Sequence, residues 1–332
     1  MTHHIFDKAV ARRDWLKVAA AGSIAALGLP AARAQDWPSK PIKIIVTFPP
    51  GGSSDVVARI MAEHLPKRLN QSVVVDNRPG AGGTIGGSAV SQSPADGYTL
   101  MLSNTTPIAL GPFTLEKQPY DPVAAFTHIA PLGTAPLVIM AHPAAGMRTL
   151  ADLEARAKRE GRLDFGSGGP GSIGHILGEL YKISAKLNLV HIPYRGGAPM
   201  TTDLLAGTIP VGIDVITSYL PFFKTGQLVP LAVTSAARSP LLPTVPSVTE
   251  LGQPKLVLEN FFGLSGPPKL PADVASRLTA VCNEILGLSE VKAKFAELAI
   301  TPTPGTQEAF SGFVRDQVGL LGPAVRGAGI KM

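Results

Sequence analysis

The sequence predicts an α/β protein of two units, each a mainly parallel sheet flanked by helices, with the second unit inserted into the first. Three observations carry this. Short Ile/Val-rich runs alternate with stretches whose apolar residues recur at helical spacing. Each unit contains a Gly/Ser-rich turn leading from a strand into a helix, at residues 48–55 and 166–172. The chain has 35 Gly and 31 Pro but only 6% aromatic residues, a composition that favours many short connections. Hydrophobic residues make up 45% of the 332 and charged residues 16%, which excludes a disordered chain and allows one large or two medium cores.

Residues 1–34 read as a cleavable export signal. Arg12 and Arg13 precede an apolar run from Val18 to Leu29, and Ala32-Arg33-Ala34 offers a small-x-small cleavage site. The run is too short to span a bilayer. The pair Arg12-Arg13 resembles a twin-arginine signal, with Trp15 where Phe is usual; an ordinary secretory signal fits equally well. Cleavage near Ala34 would leave an exported protein, periplasmic in a cell with two membranes.

In the mature chain, residues 42–47 form the first predicted strand. Phe48-Pro49-Pro50-Gly51-Gly52-Ser53-Ser54-Asp55 follows as a turn, and residues 54–69 form a helix. Pro49 and Pro50 stop the strand, and Gly51 and Gly52 let the backbone approach a ligand. Ser53, Ser54 or Asp55 can cap the helix, whose free N–H groups suit an anion such as a carboxylate. Residues 72–77 are a second strand, 80–87 a glycine-rich turn into a helix, and 98–103 a third strand ending in Ser103-Asn104-Thr105-Thr106. This βαβαβ order implies parallel strands with right-handed crossovers, and ligands in such sheets lie beyond the carboxyl ends of the strands. Residues 107–135 are Pro-rich and read as irregular. The second unit begins with a strand near 137–141. A helix capped by Thr149 runs to about Glu160, and a short strand at 163–165 leads through residues 166–172 into a helix at 173–187. Strands at 189–193, 211–215 and 228–234 follow, with helical segments at 198–206 and 219–225 between them. The chain returns to the first unit through a strand at 261–265 and closes with helices at 271–287, 290–298 and 306–322. The domains expected are residues 35–135 plus 259–332 and residues 136–258, joined by two crossings that suit a hinge.

Several function classes are excluded. Without residues 1–34 the chain carries 25 Lys/Arg against 22 Asp/Glu, a net charge of +3 with no basic cluster, so nucleic acid is not a predicted partner. The single cysteine, Cys282, permits no intramolecular disulfide and no cysteine-based zinc site, and its apolar helical context makes it a core residue. His64, His128, His142 and His191 lack metal-ligand spacing, so neither a metal nor a cofactor is expected. Gly166-x-Gly168-x-x-Gly171 matches the spacing of a dinucleotide turn, but the next strand ends in Tyr194-Arg195 with no acid to hold a ribose, and Pro170 stiffens the turn. Ser167 and Ser172 lie outside a Gly-x-Ser-x-Gly nucleophile motif. His175 stands three residues after Ser172, beside the site or packed within the unit, and no base, nucleophile and orienter assemble for hydrolysis. What remains is a weakly charged cleft of backbone N–H groups and hydroxyls at Gly51, Gly52, Ser103, Asn104, Thr105, Ser167, Gly171 and Ser172, suited to holding a carboxylate by neutral donors and helix dipoles.

The mature chain resembles the substrate-binding receptors of the tripartite tricarboxylate transporter family, the Bug receptors. The resemblance rests on Trp37-Pro-Ser-Lys-Pro-Ile-Lys43, Phe48-Pro-Pro-Gly-Gly-Ser-Ser-Asp55, Val75-Asp-Asn-Arg-Pro-Gly-Ala-Gly-Gly83, Asp96-Gly-Tyr-Thr-Leu100, Tyr120-Asp-Pro122, His191-Ile-Pro-Tyr-Arg-Gly196, Asp203-Leu-Leu-Ala-Gly207 and Leu231-Ala-Val-Thr-Ser235. It implies a two-lobed periplasmic binding protein fold that closes on a small carboxylate (a di- or tricarboxylate, an aromatic acid or an amino acid). It also implies a non-enzymatic, monomeric receptor that delivers its ligand to membrane permease subunits. A carboxylate sensor acting on a signalling partner without transport is the other reading. By position, the resemblance implies ligand-binding roles for Phe48, Gly51, Gly52, Asp55, Ser103, Asn104, Thr105, Ser167, Gly171, Ser172, His175, Tyr194 and Asp214. The turn Gly168-Gly169-Pro170 is bulkier than is usual there, and Gly212-Ile213 lacks the aromatic residue common before Asp214.

Overall fold

The computed structural model describes residues 37–331. The export signal expected at residues 1–34 lies outside the described residues. All that follows concerns the compact unit that begins at Lys40.

The chain runs β1 (Ile42–Val46), α1 (Ser53–His64), α2 (Pro66–Leu69), β2 (Val73–Asn77), α3 (Thr84–Ser91), β3 (Thr99–Asn104), α4 (Gly111–Thr114) and β4 (Thr127–Ala141). It continues with α5 (Leu150–Glu160), β5 (Leu163–Ser167), α6 (Ile173–Ala185), β6 (Leu189–Pro193), α7 (Gly197–Leu205), β7 (Val211–Val215), α8 (Leu220–Lys224) and β8 (Val229–Val233). The return is β9 (Glu259–Gly266), α9 (Ala272–Gly287), α10 (Ser289–Glu297), β10 (Thr301–Pro302) and α11 (Gln307–Gly327). One sheet path runs β2-β1-β3-β9-β4-β7-β5-β6, with β8 and β10 also paired to β4. Both flanks are parallel: β1 pairs with β2 and β3, and β5 with β6 and β7. The middle is antiparallel, because β9 and β4 run against their neighbours.

Local chemistry explains most element boundaries. The helix expected over 54–69 is divided, because Pro66 has no N–H to continue the ladder; α1 ends at His64 and α2 starts at Pro66, with Asn70 left-handed behind it. Thr149 caps α5 as expected, in a full capping box with Asp152. The irregular segment expected over 107–135 is instead partly ordered. A π-helical turn at Thr106–Leu110 precedes α4, and β4 begins at Thr127, ten residues before the expected strand. Pro131 and Gly133 read as strand breakers, but they flank a register shift against β9, where a ladder tolerates both. A side chain at Gly133 would meet the Thr301 carbonyl of β10 at 2.8 Å.

Each flank has its own core. Ile45, Met101, Ile108, Phe126, Phe261, Phe310 and Val314 cluster on one side. Val138, Met140, Met200, Leu204, Ile209 and Tyr219 cluster on the other. Cys282 is fully buried on α9, and burial pushes its thiol up to about 12.

β4 changes partners midway. It pairs with β9 as far as Pro136, then with β7 from Leu137 and β8 from Val138. The chain passes from one partner set to the other beside Thr234. The Thr234 hydroxyl accepts from Leu137 N–H (2.8 Å) and donates to the Leu258 carbonyl, while its own N–H donates to the Leu137 carbonyl (3.0 Å). Leu258 N–H donates in turn to the Thr234 carbonyl (3.1 Å). Thr234 is fully buried, so an apolar replacement would leave two backbone groups without a partner. Thr234→Val is expected to lower stability by about 1–3 kcal/mol in denaturant titration, with the slope unchanged.

Candidate functional site

Three helices direct their N-termini at one small cavity of about 50 Å³ between the two parts of the sheet. They are α1, which follows Gly52; α6, capped by Ser172; and α7, which follows Gly196. Free N–H groups and the positive ends of three dipoles make this an anion-favouring place. The walls include Phe48, Pro49, Gly52, Ser53 and Ser54 from one side, Gly168, Ser172, Gly197 and Asp214 from the other, and Asn104, Thr106 and Asn260 beneath. The two sides touch. A methyl group placed at Gly196, whose φ is +111°, would lie 2.8 Å from Pro49 Cγ, so only glycine permits this approach. Gly197 is tight for a different reason: its Cβ would lie 2.7 Å from Asp214 Oδ2.

The structure thus brings Phe48, Gly52, Asn104, Ser172 and Asp214 to the cavity wall. Asn104 donates to Ser54 Oγ (2.6 Å) and accepts from Thr106 N–H (3.1 Å), which fixes its amide orientation. Most of the other candidates sit behind that wall and brace it. Asp55 does not cap α1 in the usual sense. Its carboxylate reaches back to Gly51 N–H (3.0 Å) and is held by Arg59 Nε (2.8 Å) and Asn77 Nδ2 (3.0 Å). Asn77 also donates to the Phe48 carbonyl (3.0 Å), so the pair clamps both ends of the proline-glycine turn. Burial alone would raise the Asp55 pKa, but the donors from Arg59, Gly51 and Asn77 outweigh it and hold the group below the usual carboxylate range. Ser103 is fully buried in the sheet and accepts from Ser265 Oγ (2.9 Å). Thr105 turns to β9, accepting from Phe261 N–H (2.9 Å). Tyr194 donates to Asp203 (2.8 Å) and lines a neighbouring cavity.

The opposite turn is braced by histidines. Ser167 Oγ lies 2.7 Å from His191 Nε2 and 3.1 Å from Ser172 Oγ. Gly171 N–H donates to His175 Nδ1 (3.1 Å), which places the His175 proton on Nε2. The rings of His175 and His191 stack with centroids 4.0 Å apart. Burial lowers both pKa values, that of His191 to about 3 with help from the adjacent His175, so both rings are neutral around pH 7. Ser167 is fully buried, so its contact with His191 shapes the turn and presents no nucleophile to the cavity.

Asp214 is the ionisable side chain on the inner wall. Its oxygens accept from Val215 N–H (2.8 Å) and Tyr219 OH (3.0 Å). Burial outweighs those bonds and raises its pKa to about 6. Sequence reading missed three contributors: Asn260, Gly197 and the brace Asn77. Asn77 stands at the carboxyl end of β2, where strand-end position alone would have singled it out.

The family model described as tripartite tricarboxylate transporter family receptor matches residues 57–330. The chain belongs to that receptor family. BugT of Bordetella pertussis is 36% identical over 312 residues, covering 93% of this chain and 96% of BugT. Among solved structures, the R. palustris protein Rpa4515 with adipate superposes with a TM-score of 0.85 at 30% identity, over 89% of this chain and 99% of that one. The periplasmic binding protein BugD gives 0.83 at 27% identity, over 89% and 99%. The fold of the receptor is therefore the two-lobed one of periplasmic binding proteins, and its cavity lies where three helix N-termini meet.

Asp55→Ala in this receptor is expected to cost about 1–3 kcal/mol in chemical unfolding, because Gly51 N–H and Asn77 lose their acceptor. Asp214 predicts a pH effect. Its pKa is raised in the folded state, so the native protein binds the proton more tightly and loses stability as pH rises from 3.8 through about 6. Asp214→Asn should therefore raise the melting temperature of the free protein at pH 8 and change it little at pH 4, as read by scanning calorimetry.

Proposed function

We propose that the chain is an exported, non-enzymatic receptor that closes on a small carboxylate and delivers it to the membrane subunits of a tripartite tricarboxylate-type transporter. The observation that carries this is the convergence of α1, α6 and α7 on a cavity whose wall has no Lys or Arg among the described residues. A carboxylate there would be held by backbone N–H groups, the Asn104 amide and the Ser172 hydroxyl, with helix dipoles supplying the positive potential. The adipate seen with Rpa4515 supports a ligand of this class. The site residues of this reading are Phe48, Gly51, Gly52, Asn104, Ser172 and Asp214 in the wall or its turn. Asp55, Ser103, Thr105, Ser167, Gly171 and His175 brace it from behind.

In this reading residues 35–135 with 259–332 form one lobe and residues 136–258 the other. The hinge lies where β4 changes partners at Pro136–Leu137 and where the chain returns between Thr234 and Leu258. Opening would separate Pro49 from Gly196 and expose the cavity to solvent. No helix among the described residues is long and apolar enough to cross a membrane, which fits a receptor that meets its permease from outside. The export signal expected at residues 1–34 would place it in the periplasm, and it would act there as a monomer.

Thermal-shift screening of di- and tricarboxylates, aromatic acids and amino acids at 1 mM tests the reading. A ligand with a Kd near 1 μM would stabilise the folded state by about 4 kcal/mol at that concentration. Small-angle scattering should show a smaller radius of gyration with that ligand bound. A panel without any shift would overturn the carboxylate reading. Uptake by a deletion strain decides the transport half: undiminished uptake of the identified ligand would reject it.

A further inference from the structure

A groove of about 500 Å³ lies at the strand exchange and shares no lining residue with the anion cavity. Its floor is Pro136 and Glu259, which are paired across β4 and β9. Asn260, the next residue of β9, lines the anion cavity instead. Consecutive residues of a strand point to opposite faces. The groove therefore opens on the face of the exchange turned away from the anion cavity.

Each wall of the groove is tied to its own part of the molecule. One wall comes from residues 235–241 and the other from the end of α10 through β10. Arg238 in the first wall donates to both oxygens of Glu250 (3.0 Å each) and to the Pro243 carbonyl (3.0 Å). Ser247 Oγ donates to the Ala236 carbonyl (3.2 Å). In the second wall, Thr301 and Pro302 pair with Thr134 and Gly133 of β4, and Ile300 N–H donates to the Phe295 carbonyl (2.9 Å). Among the described residues no hydrogen bond or ion pair joins one wall to the other. Both walls present apolar surface to solvent: Ala236, Ala237, Pro240 and Leu241 on one side and Ala296 on the other are exposed.

In the two-lobe reading above, on which this inference rests, the first wall turns with residues 136–258 and the second with the other lobe. The pivot is the floor of the groove. In front of it Pro49 meets Gly196 and the cleft is shut, while the groove behind stands open. A rotation about the floor that parts Pro49 from Gly196 brings the rear walls together. We infer that the groove is a counterweight to the ligand cleft: its walls meet when the receptor opens, and the apolar surface they bury stabilises the open form. Ligand affinity is scaled by the fraction of molecules that reach the closed form. The groove thus sets affinity without touching the ligand, and burial of its exposed alanine, proline and leucine surface supplies the opposing free energy.

Ala237→Trp and Ala296→Trp test this by placing a wedge on either wall at an exposed position, where a large side chain leaves the cores undisturbed. Small-angle scattering of the unliganded protein reads the effect without any ligand. Wild type should have a larger radius of gyration than the closed form of this structure, and each wedge should bring it down toward the closed value. Calorimetric titration with adipate, or with the acid of the panel above that shifts melting most if adipate is silent, should show at least threefold tighter binding for each wedge. Ala151→Trp, at an exposed position on α5 outside the groove, should match wild type in both measurements. An unliganded wild type as compact as the closed form would overturn the inference. So would wedges that leave the radius unchanged or enlarge it, or that weaken binding. Wedges that compact a protein binding no acid of the panel would leave the counterweight standing and sink the carboxylate reading alone.

Discussion

The fold depends on one strand that serves two sets of partners. β4 pairs with β9 on one side of Pro136 and with β7 and β8 beyond it. A buried strand cannot leave backbone groups unpaired where it changes neighbours. Thr234 meets that requirement by satisfying both the N–H and the carbonyl of Leu137 and by tying in Leu258. The parallel flanks lie on either side of this exchange, and the turns at the carboxyl ends of β1 and β5 bring α1 and α6 to the same cavity. In the proposed two-lobe reading, the exchange is where bending would carry those turns apart.

The site itself is built from neutral groups around a few buried charges. Each helix N-terminus carries about half a unit of positive charge. Three together favour an anion without any cationic side chain on the inner wall. The charged groups nearby do other things. Asp55, gripped by Arg59, Asn77 and Gly51, fixes the path of the proline-glycine turn. The stacked pair His175 and His191 fixes the opposite turn, and burial keeps both rings neutral. Asp214 is held on the inner wall by Val215 N–H and the Tyr219 hydroxyl, and burial raises its pKa to about 6.

Much of this was legible residue by residue. The strand, glycine turn and helix at 42–64 and at 163–185 follow from Ile/Val runs, proline breaks and helical spacing. The places of Gly52, Asn104 and Ser172 on the wall follow from their positions at or shortly after the carboxyl ends of strands. The β-strand start at Thr127 was not legible, because Pro131 and Gly133 look like breakers until β9 supplies the irregular register that accommodates them. The roles of Ser103 and Thr105 were not legible either. Both stand at the right end of β3, but sequence position does not say which way a side chain turns. Ser103 points into the sheet toward Ser265, Thr105 toward β9, and Asn104 to the cavity.

By itself, then, the sequence determined the alternation of strands and helices, the glycine turns, the low charge of the cleft and the family. Each is a local pattern, readable over a few residues. Only the tertiary structure decided which groups meet: Pro49 with Gly196, Gly197 with Asp214, Ser54 with Asn104, and residues 235–241 with the end of α10 around one groove. The first and third of these pairs join residues fifty or more positions apart. Such meetings have no periodicity of their own, because packing of whole elements against one another sets them.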